Sequence, residues 1–257
     1  MKIIQITDTH LMPHGTNLHG LNPCERLEAC ISSINEFHAD AELCFITGDL
    51  TDQGHREAYH DLREIFRQLK MPYHPLIGNH DHREIFTEVF PEVPLDENGF
   101  VQQMLATEQG RFLLLDTVEH GQHWGSYCNK RRSWLRKQLK DAGSDAVYLF
   151  MHHPPFNIGI PSLDFLSLKN DAKRIQEIVC DFSNIKHLFF GHVHRPVSGS
   201  WHGIPFTTLR GTNHQFQLDL NAVDYLPYSH EPPAYCVIFL EHQQTTVHFH
   251  DYLDDSL

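Results

Sequence analysis

Residues 187–194 read His-Leu-Phe-Phe-Gly-His-Val-His, a short apolar run that ends in a glycine and two alternate histidines. The length of the run and its aromatic residues predict a buried β-strand. Because successive side chains of an extended chain point to opposite sides, His192 and His194 point the same way as they leave that strand. The stretch therefore predicts a strand whose carboxyl end presents two imidazoles to one site.

Five further apolar runs have a similar length and composition, and amphipathic segments separate them. Asn22, Pro23 and Glu25 form the start signal of a first helix, whose apolar stripe reaches Phe37. This alternation predicts βα units around a mostly parallel sheet, whereas the chain after about residue 195 predicts antiparallel hairpins. The predicted strands are Ile3–Ile6, Leu43–Thr47, Tyr73–Ile77, Phe112–Leu115, Val147–Met151 and His187–Phe190; the further helices are Arg56–Lys70, Ser133–Lys140 and Asp171–Phe182; the hairpins are Ser198–Arg210 and Tyr235–His250, the second turning near residues 242–244.

Clusters of candidate ligands follow five of the six predicted strands, just past the carboxyl end of each. Ligands of open α/β sheets bind in the crevice at the carboxyl ends of the strands, so we expect these side chains to converge. Carboxylate, imidazole and carboxamide groups together suit divalent ions that accept mixed nitrogen and oxygen ligands, such as Mn, Fe and Zn. The candidate ligands are Asp8, His10, Asp49, Asn79, His152, His192 and His194.

These candidate ligands are too many for one four-coordinate zinc ion, so we expect two metal ions. Two ions need a bridging group, and a carboxylate offers two oxygens. Asp49 is the expected bridge, because the neighbouring Gly48 permits close approach. Two divalent ions with Asp8, Asp49 and a bridging hydroxide carry a net charge of about +1. That charge matches the single negative charge of a phosphodiester.

The composition limits the classes of function. The chain has 257 residues, and 20 Lys and Arg against 33 Asp and Glu give a net charge of −13. Such a surface repels a phosphate backbone, which argues against a general nucleic-acid binder. No apolar run reaches the ~18 residues that cross a bilayer, and residues 1–8 lack the core of a signal peptide. We expect a single cytoplasmic domain, residues 1–257, whose scattered cysteines stay reduced.

The motifs occur in the order Asp-x-His, Gly-Asp, Gly-Asn-His-Asp, His-His and Gly-His-x-His between Asp8 and His194. This order resembles that of the calcineurin-like metallophosphoesterase superfamily. The resemblance implies a four-layer αββα sandwich of two mixed β-sheets flanked by helices. It also implies that His80 contacts the phosphoryl group and assists the leaving oxygen. By the same resemblance, Asp8, His10, Asp49 and His194 hold one metal ion, and Asp49, Asn79, His152 and His192 hold the other.

Within that superfamily the chain is similar to bacterial class III cyclic-nucleotide phosphodiesterases and to glycerophosphodiesterases. The similarity rests on residues 7–11, 152–155, 211–215 and 228–233, and it implies that His214 reaches the substrate phosphate. The expected activity is hydrolysis of small phosphodiesters, such as cAMP or glycerophosphodiesters, by attack of a metal-bridging hydroxide. Asp49, Asn79 and His80 are the expected catalytic residues. His80, His214 and Asn79 are expected to bind substrate.

Alternatives stay open at this point. The same metal centre could serve a phosphomonoesterase or a nuclease, and a binding scaffold without activity is a third hypothesis. Metal identity, cyclic or linear substrate and oligomeric state are open as well, and residues 221–233 are a candidate cap or dimer contact. Trp124, Tyr127 and Phe156 could line a pocket for a base or a choline-like group, although core packing is the better interpretation. Arg195 could contact a phosphate or could be a solvated surface residue.

Overall fold

Most of the strands form two large sheets, each of which mixes parallel and antiparallel pairs, and two short strands form a third, small sheet. The computed structural model describes residues 1–168, 170–241 and 244–253. In spatial order the first sheet contains β13 (Gln244–Asp251), β12 (Ala234–Glu241), β1 (Lys2–Ile6), β2 (Leu43–Thr47) and β3 (Tyr73–Leu76). The second contains β4 (Gln103–Thr107), β5 (Gly110–Leu115), β6 (Val147–Met151), β7 (Ile185–Phe190), β9 (Ile204–Thr207) and β8 (Ser198–Trp201).

Helices cover the outer face of each sheet. The first sheet carries α1 (Pro23–Phe37), α2 (Arg56–Phe66) and α3 (Arg83–Val89), and the second carries α4 (Asn129–Ala142) and α6 (Ala172–Cys180). A short helix, α5 (Pro161–Asp164), follows β6. The start of α1 agrees with its sequence signal, because the Asn22 side chain accepts a hydrogen bond from the backbone N–H of Cys24 at 3.1 Å.

Strand alternation explains how both faces of each sheet are buried. In the first sheet, Ile3 and Phe45 face the second sheet, whereas Ile4 and Cys44 face the helices. The second sheet repeats the pattern, with Phe150 in the layer between the sheets and its neighbours Leu149 and Met151 against the helices. Parallel strands that are buried on both faces are continuous apolar runs in the sequence, which is the pattern of these strands.

The expectation of one mostly parallel sheet is therefore wrong, and the four-layer αββα sandwich is confirmed. Two parallel groups, β1–β2–β3 and β5–β6–β7, belong to different sheets. Antiparallel strands complete each sheet: β12 pairs with β1, and β4 pairs with β5. Each group taken alone has the sequence pattern of a βα sheet. The division between them depends on long-range contacts.

Several boundaries differ from the sequence expectations. Helix α2 ends at Phe66 rather than at Lys70. Tight turns replace its last helical turn: the N–H of Gln68 donates to the Ile65 carbonyl oxygen, and that of Leu69 to the Phe66 carbonyl oxygen. Helix α4 begins at Asn129, four residues before the expected Ser133. Helices α3 and α5, strand β4 and the short strands β10 (Gln215–Phe216) and β11 (Tyr228–Ser229) were not predicted from the sequence.

The late hairpins form as expected, with β8 and β9 in one and β12 and β13 in the other. Gln244 pairs with Glu241, and the turn expected near His242 lies in part outside the described residues. The irregular segment 221–233 contains one short strand, β11 (Tyr228–Ser229), which pairs with β10 (Gln215–Phe216). All six cysteines are free thiols. Among the described residues, none of the helices is both long and apolar enough to cross a membrane.

Candidate metal centre

The seven predicted ligands lie together at the carboxyl ends of the strands, where the two sheets meet. Those from the first sheet follow β1, β2 and β3, and those from the second follow β6 and β7. Polar atoms from the two sheets approach closely: His194 Nε2 lies 3.5 Å from Asp8 Oδ1, and His152 Nε2 lies 3.2 Å from Asp49 Oδ2. The packing of the two sheets therefore creates the cluster.

Asp49 lies at the centre of the cluster. Its Oδ2 is 3.5 Å from His10 Nε2 on one side and 3.2 Å from His152 Nε2 on the other. Its Oδ1 accepts a hydrogen bond from the backbone N–H of His80 at 2.9 Å. One carboxylate thus lies between two histidine groups, which is the arrangement that a bridging ligand requires.

The backbone at the cluster is in an uncommon conformation. Non-glycine residues avoid positive φ because Cβ approaches the carbonyl oxygen, at a cost of roughly 1–2 kcal/mol per residue. Such strain concentrates at functional sites. Five of the seven non-glycine residues with positive φ in the described chain are candidate ligands: Asp8 (51°), His10 (43°), Asp49 (48°), His192 (69°) and His194 (50°).

Two glycines make this convergence possible. A Cβ atom on Gly78 would lie 2.2 Å from Asp49 Oδ1. One on Gly191 would lie 2.2 Å from Thr7 Oγ1 and 3.0 Å from His152 Nδ1. Larger residues at either position would displace the side chains that form the cluster, which explains a glycine directly after β7 and another before Asn79.

Hydrogen bonds fix the tautomers of three histidines. The Nδ1–H of His152 donates to the Thr47 carbonyl oxygen at 2.8 Å, and that of His194 donates to the His214 carbonyl oxygen at 2.8 Å. His10 Nδ1 donates to Asp52 Oδ1 at 3.0 Å. In the neutral form of each ring, Nε2 carries the lone pair that a metal ion needs, and such partners are typical of metal-ligating histidines.

The donor set fits cations between these side chains. His10 Nε2 and His194 Nε2 lie 3.1 Å apart, so their lone pairs reach one position when both rings are neutral. His192 Nε2 is buried without a hydrogen-bond partner, although buried polar atoms are normally paired. Asp8, His10, Asp49 and His194 lie close enough together to share one ion, and His152 and His192 form a second such group with the adjacent His153. The cluster is able to hold a pair of divalent metal ions.

Burial and charge determine the protonation of the cluster. Burial lowers the pKa of His192 well below its usual value and that of His194 to about 4, so both imidazoles are neutral, as ligands must be. Burial disfavours the charged form of His152, but the carboxylates of Asp49 and Asp8 and the hydrogen bond to the Thr47 carbonyl together outweigh burial and raise the pKa of His152 to about 9. A bound cation would displace that proton, which makes metal affinity dependent on pH.

A cavity of about 320 Å³ opens onto the cluster. Asp49, Asn79 and several histidines line it. The apolar part of the lining comes from α5 and the residues directly after it, and from β10, β11 and the segment between these two strands. It comprises Leu163, Leu166, Phe216, Leu226 and Tyr228.

The two predicted substrate-binding histidines both line this cavity. His80 donates its Nδ1–H to the Asp52 carbonyl oxygen at 2.8 Å, so Nε2 is the nitrogen available to a substrate. His214 is buried, and its ring centre lies 4.7 Å from that of His194. Burial lowers the pKa of His214 far below its usual value, which keeps the imidazole neutral.

Sequence reasoning missed several residues of the site. His19 and His123 line the cavity although neither follows a strand, and Asp52 orients His10. The spacing of Asp49 and Asp52 after β2 could have indicated Asp52. His19 has φ 53° and its ring centre lies 4.1 Å from that of Tyr228, a contact between distant loops that no local pattern predicts.

Three residues considered as possible substrate contacts have structural roles. Tyr127 is buried and donates to Gln102 Oε1 at 2.6 Å. Phe156 packs against Phe206 in the outer core of the second sheet. Arg195 pairs with Glu231 at 3.1 Å and donates to a backbone carbonyl. Core packing explains the two aromatic residues, and an ion pair explains the arginine.

An αββα sandwich with an Asp, His and Asn cluster at its strand ends defines a metal-dependent phosphoesterase. The family described as calcineurin-like phosphoesterase matches residues 1–196. The chain therefore belongs to the calcineurin-like phosphoesterase family.

Relatives and solved structures agree with this assignment. A probable cyclic nucleotide phosphodiesterase of Rhodopseudomonas palustris is 39% identical over 260 residues, covering 100% of this chain and 94% of that protein. A probable glycerophosphodiester phosphodiesterase of Arcobacter nitrofigilis is 31% identical, covering 96% of this chain and 92% of that protein. The crystal structure of a dimetal phosphatase from Danio rerio superimposes with a TM-score of 0.73 at 13% identity, covering 98% of this chain and 96% of that chain, and so shares the fold.

Proposed function

We propose that this chain is a dinuclear-metal phosphodiesterase that hydrolyses small phosphodiesters. The observation that carries the proposal is the position of Asp49 between His10 and His152, at 3.5 and 3.2 Å. Family membership supports a phosphoesterase. The names of the two relatives support a diester substrate, either a cyclic nucleotide or a glycerophosphodiester.

The proposed ligand sets divide the cluster into two halves that share one carboxylate. The tautomers of His10, His152 and His194 support the division, because each presents Nε2 to the cluster. His192 supports it through its unpartnered Nε2. In our proposal Asp8, His10, Asp49 and His194 hold one ion, and Asp49, Asn79, His152 and His192 hold the other.

When bound, the two ions would lower the pKa of a water molecule and neutralise charge on the phosphoryl oxygens. The chain supplies the remaining chemistry. In our proposal Asp49 holds the two ions beside the cavity, and the Asn79 carboxamide, which is assigned to the second ion, contacts the phosphoryl group. His80 donates a proton from Nε2 to the leaving alkoxide, while its Nδ1–H stays on the Asp52 carbonyl oxygen, which holds the ring in orientation.

The cavity supports a small substrate with an apolar part. Its volume of about 320 Å³ suits a compact diester. Leu163, Leu166 and Leu226 provide a wall that suits the flat face of a nucleobase better than the hydroxyl groups of glycerol. We assign His214, whose burial keeps it neutral, to a contact with the substrate phosphate.

A substrate panel tests the proposal. The purified protein is assayed with cAMP, 2′,3′-cyclic nucleotides and glycerophosphocholine, with Mn²⁺ and after chelation. We expect metal-dependent hydrolysis of at least one diester. A bis-aryl phosphate and its mono-aryl counterpart separate diester from monoester activity. Faster hydrolysis of the mono-aryl ester would assign the centre to a phosphomonoesterase, and no hydrolysis with two ions bound would favour a binding scaffold.

We also propose that residues 1–257 act as one domain in the cytoplasm. Segment 221–233 is the proposed cap or contact between copies, because Val223 and Tyr225 are exposed on it and Leu226 lines the cavity. Light scattering after gel filtration tests the contact. We expect a dimer that Tyr225→Ser weakens; a monomeric wild-type protein would leave the segment as a cap alone.

A further inference from the structure

The second residue of the double histidine has no part in the proposed ligand sets. His153 is fully buried directly after the proposed ligand His152. Its Nε2 lies 3.1 Å from Asn79 Oδ1, and its Nδ1 lies 2.8 Å from Thr117 Oγ1. The ring therefore connects a threonine after β5 to the carboxamide after β3, across the two sheets.

The chemistry of the partners fixes the direction of these hydrogen bonds. Asn79 Oδ1 can only accept, so His153 carries its proton on Nε2 and donates to it. Nδ1 of the neutral ring then accepts from the Thr117 hydroxyl, which can rotate to donate. The neutral form of His152 is the opposite tautomer, because its Nδ1–H donates to the Thr47 carbonyl oxygen. His152 Nε2 lies 3.2 Å from the same Asn79 oxygen, so Oδ1 is located between the two imidazoles.

Packing holds the His153 ring in this position. A Cβ atom on Gly125 would lie 2.7 Å from His153 Cγ, so the backbone at Gly125 packs directly against the ring. The ring centre of His192 lies 4.7 Å away on another side. Since the ring cannot turn without moving these neighbours, its Nε2–H is a fixed donor.

We propose that His153 is a positioning residue, held by Thr117, that orients the Asn79 carboxamide so that Oδ1 is directed to the second metal ion. The inference rests on the proposed function, because it assigns Asn79 to that ion. Without the donor on His153, the carboxamide can turn its nitrogen toward the cluster, where an amide N–H cannot bind a cation. The second ion then loses a ligand, while the first ion keeps its whole set.

Mn²⁺ binding to the metal-free protein measures the effect directly. Removal of a partner that orients a ligand typically weakens metal binding about 10–100-fold. We expect two ions per wild-type chain. In His153→Leu we expect one ion bound as in wild type and a second bound about 10–100-fold more weakly. His153→Gln keeps a donor near the position of Nε2 and should recover much of the second affinity.

A matched control exists in the same sheet. His187 is a buried histidine whose Nε2 lies 2.8 Å from Thr207 Oγ1, outside the metal centre. His187→Leu makes the same chemical change and should leave both Mn²⁺ affinities unchanged. Thr117→Val retains the His153 ring without its hydroxyl partner and should weaken the second ion in the same direction. If His153→Leu does not fold, as the melting temperature of the metal-free variant would show, Thr117→Val still tests the inference.

Three results would overturn the inference. Unchanged affinity for both ions in His153→Leu and Thr117→Val would make His153 a packing residue only. If His153→Gln loses the second ion as completely as His152→Ala does, His153 is itself a ligand of that ion. Equal weakening of both ions would indicate a general disturbance of the fold. Failure of the wild-type chain to bind two ions or to hydrolyse a diester would instead contradict the proposed function.

Discussion

The two ends of the same strands differ in charge, burial and backbone conformation. At the carboxyl ends, Asp8 and Asp49 are buried, and five candidate ligands have positive φ. At the amino ends, charged residues form pairs that are partly exposed: Lys2 lies 2.7 Å from Asp40, and Arg111 lies 3.0 Å from Asp145. One edge of the sandwich concentrates buried charge and backbone strain, whereas the charged pairs at the other edge are partly exposed.

The residues that stabilise the protein are therefore different from the residues that make it active. The layer between the sheets, which includes Phe45, Phe112 and Phe150, supplies apolar burial along the strands. Buried carboxylates and left-handed residues at the carboxyl ends oppose folding unless cations or hydrogen bonds compensate them. Substitutions at the carboxyl ends should therefore affect catalysis, and those in the core should affect stability.

Asp49→Asn should have the largest effect. The amide lacks the charge that holds two cations together, so we expect the second ion to be lost and kcat to fall by several orders of magnitude. Mn²⁺ should raise the melting temperature of the wild-type protein, since it binds the folded state, and should raise that of the variant far less. Elemental analysis and kinetics measure both effects. Two ions and near-normal kcat in the variant would remove Asp49 from its central role.

His80→Ala should lower kcat roughly 10²–10⁴-fold, the range typical of a lost general acid. Its metal content should stay at two ions, because His80 is outside the proposed ligand sets. The loss should be largest for esters with poor leaving groups, which need protonation most. Equal activity of variant and wild type on such an ester would contradict the role of His80.

Phe150→Ala tests whether the layer between the sheets stabilises the protein without contributing to catalysis. Phe150 is fully buried between the sheets, and its ring centre lies 4.3 Å from that of Phe45. We expect the free energy of unfolding to fall by about 3–5 kcal/mol. At low temperature the folded variant should keep both metal ions and most of its kcat. Loss of metal with the fold intact would show that the core and the metal centre are coupled.

Lys2→Met at the amino ends should have the smallest effect. Asp40 is 75% exposed, so the pair with Lys2 is screened by water. We expect the smallest change in the free energy of unfolding among these variants, with kcat unchanged. Urea denaturation measures the change. A loss comparable with that of Phe150→Ala would show that this edge carries more stability than its exposure indicates.

The features that could be predicted from the sequence are those that depend on residues close together along the chain. Each candidate ligand directly follows an apolar run, so the strand ends located Asp8, Asp49 and His192 without knowledge of the sheets. The positions of His19 and His123 were not predictable, because they reach the cavity from loops without periodicity. The number of sheets was not predictable from periodicity, since β1–β3 and β5–β7 have the same pattern and only tertiary pairing separates them.

The positive φ angles of the candidate ligands were not predictable either. Aspartate and histidine adopt this conformation only where the surrounding structure requires it. At Asp8 the requirement includes backbone contacts with a distant segment, because the N–H of His192 donates to Asp8 Oδ1 at 3.0 Å. Such a contact appears only when the two sheets have packed together.

Anomalous diffraction from crystals grown with Mn²⁺ tests the metal centre most directly. We expect two peaks at the carboxyl ends of the strands, both in contact with Asp49, one also beside Asp8 and His10 and the other beside Asn79 and His152. A single peak, or two peaks that do not share Asp49, would contradict a dinuclear centre in this protein.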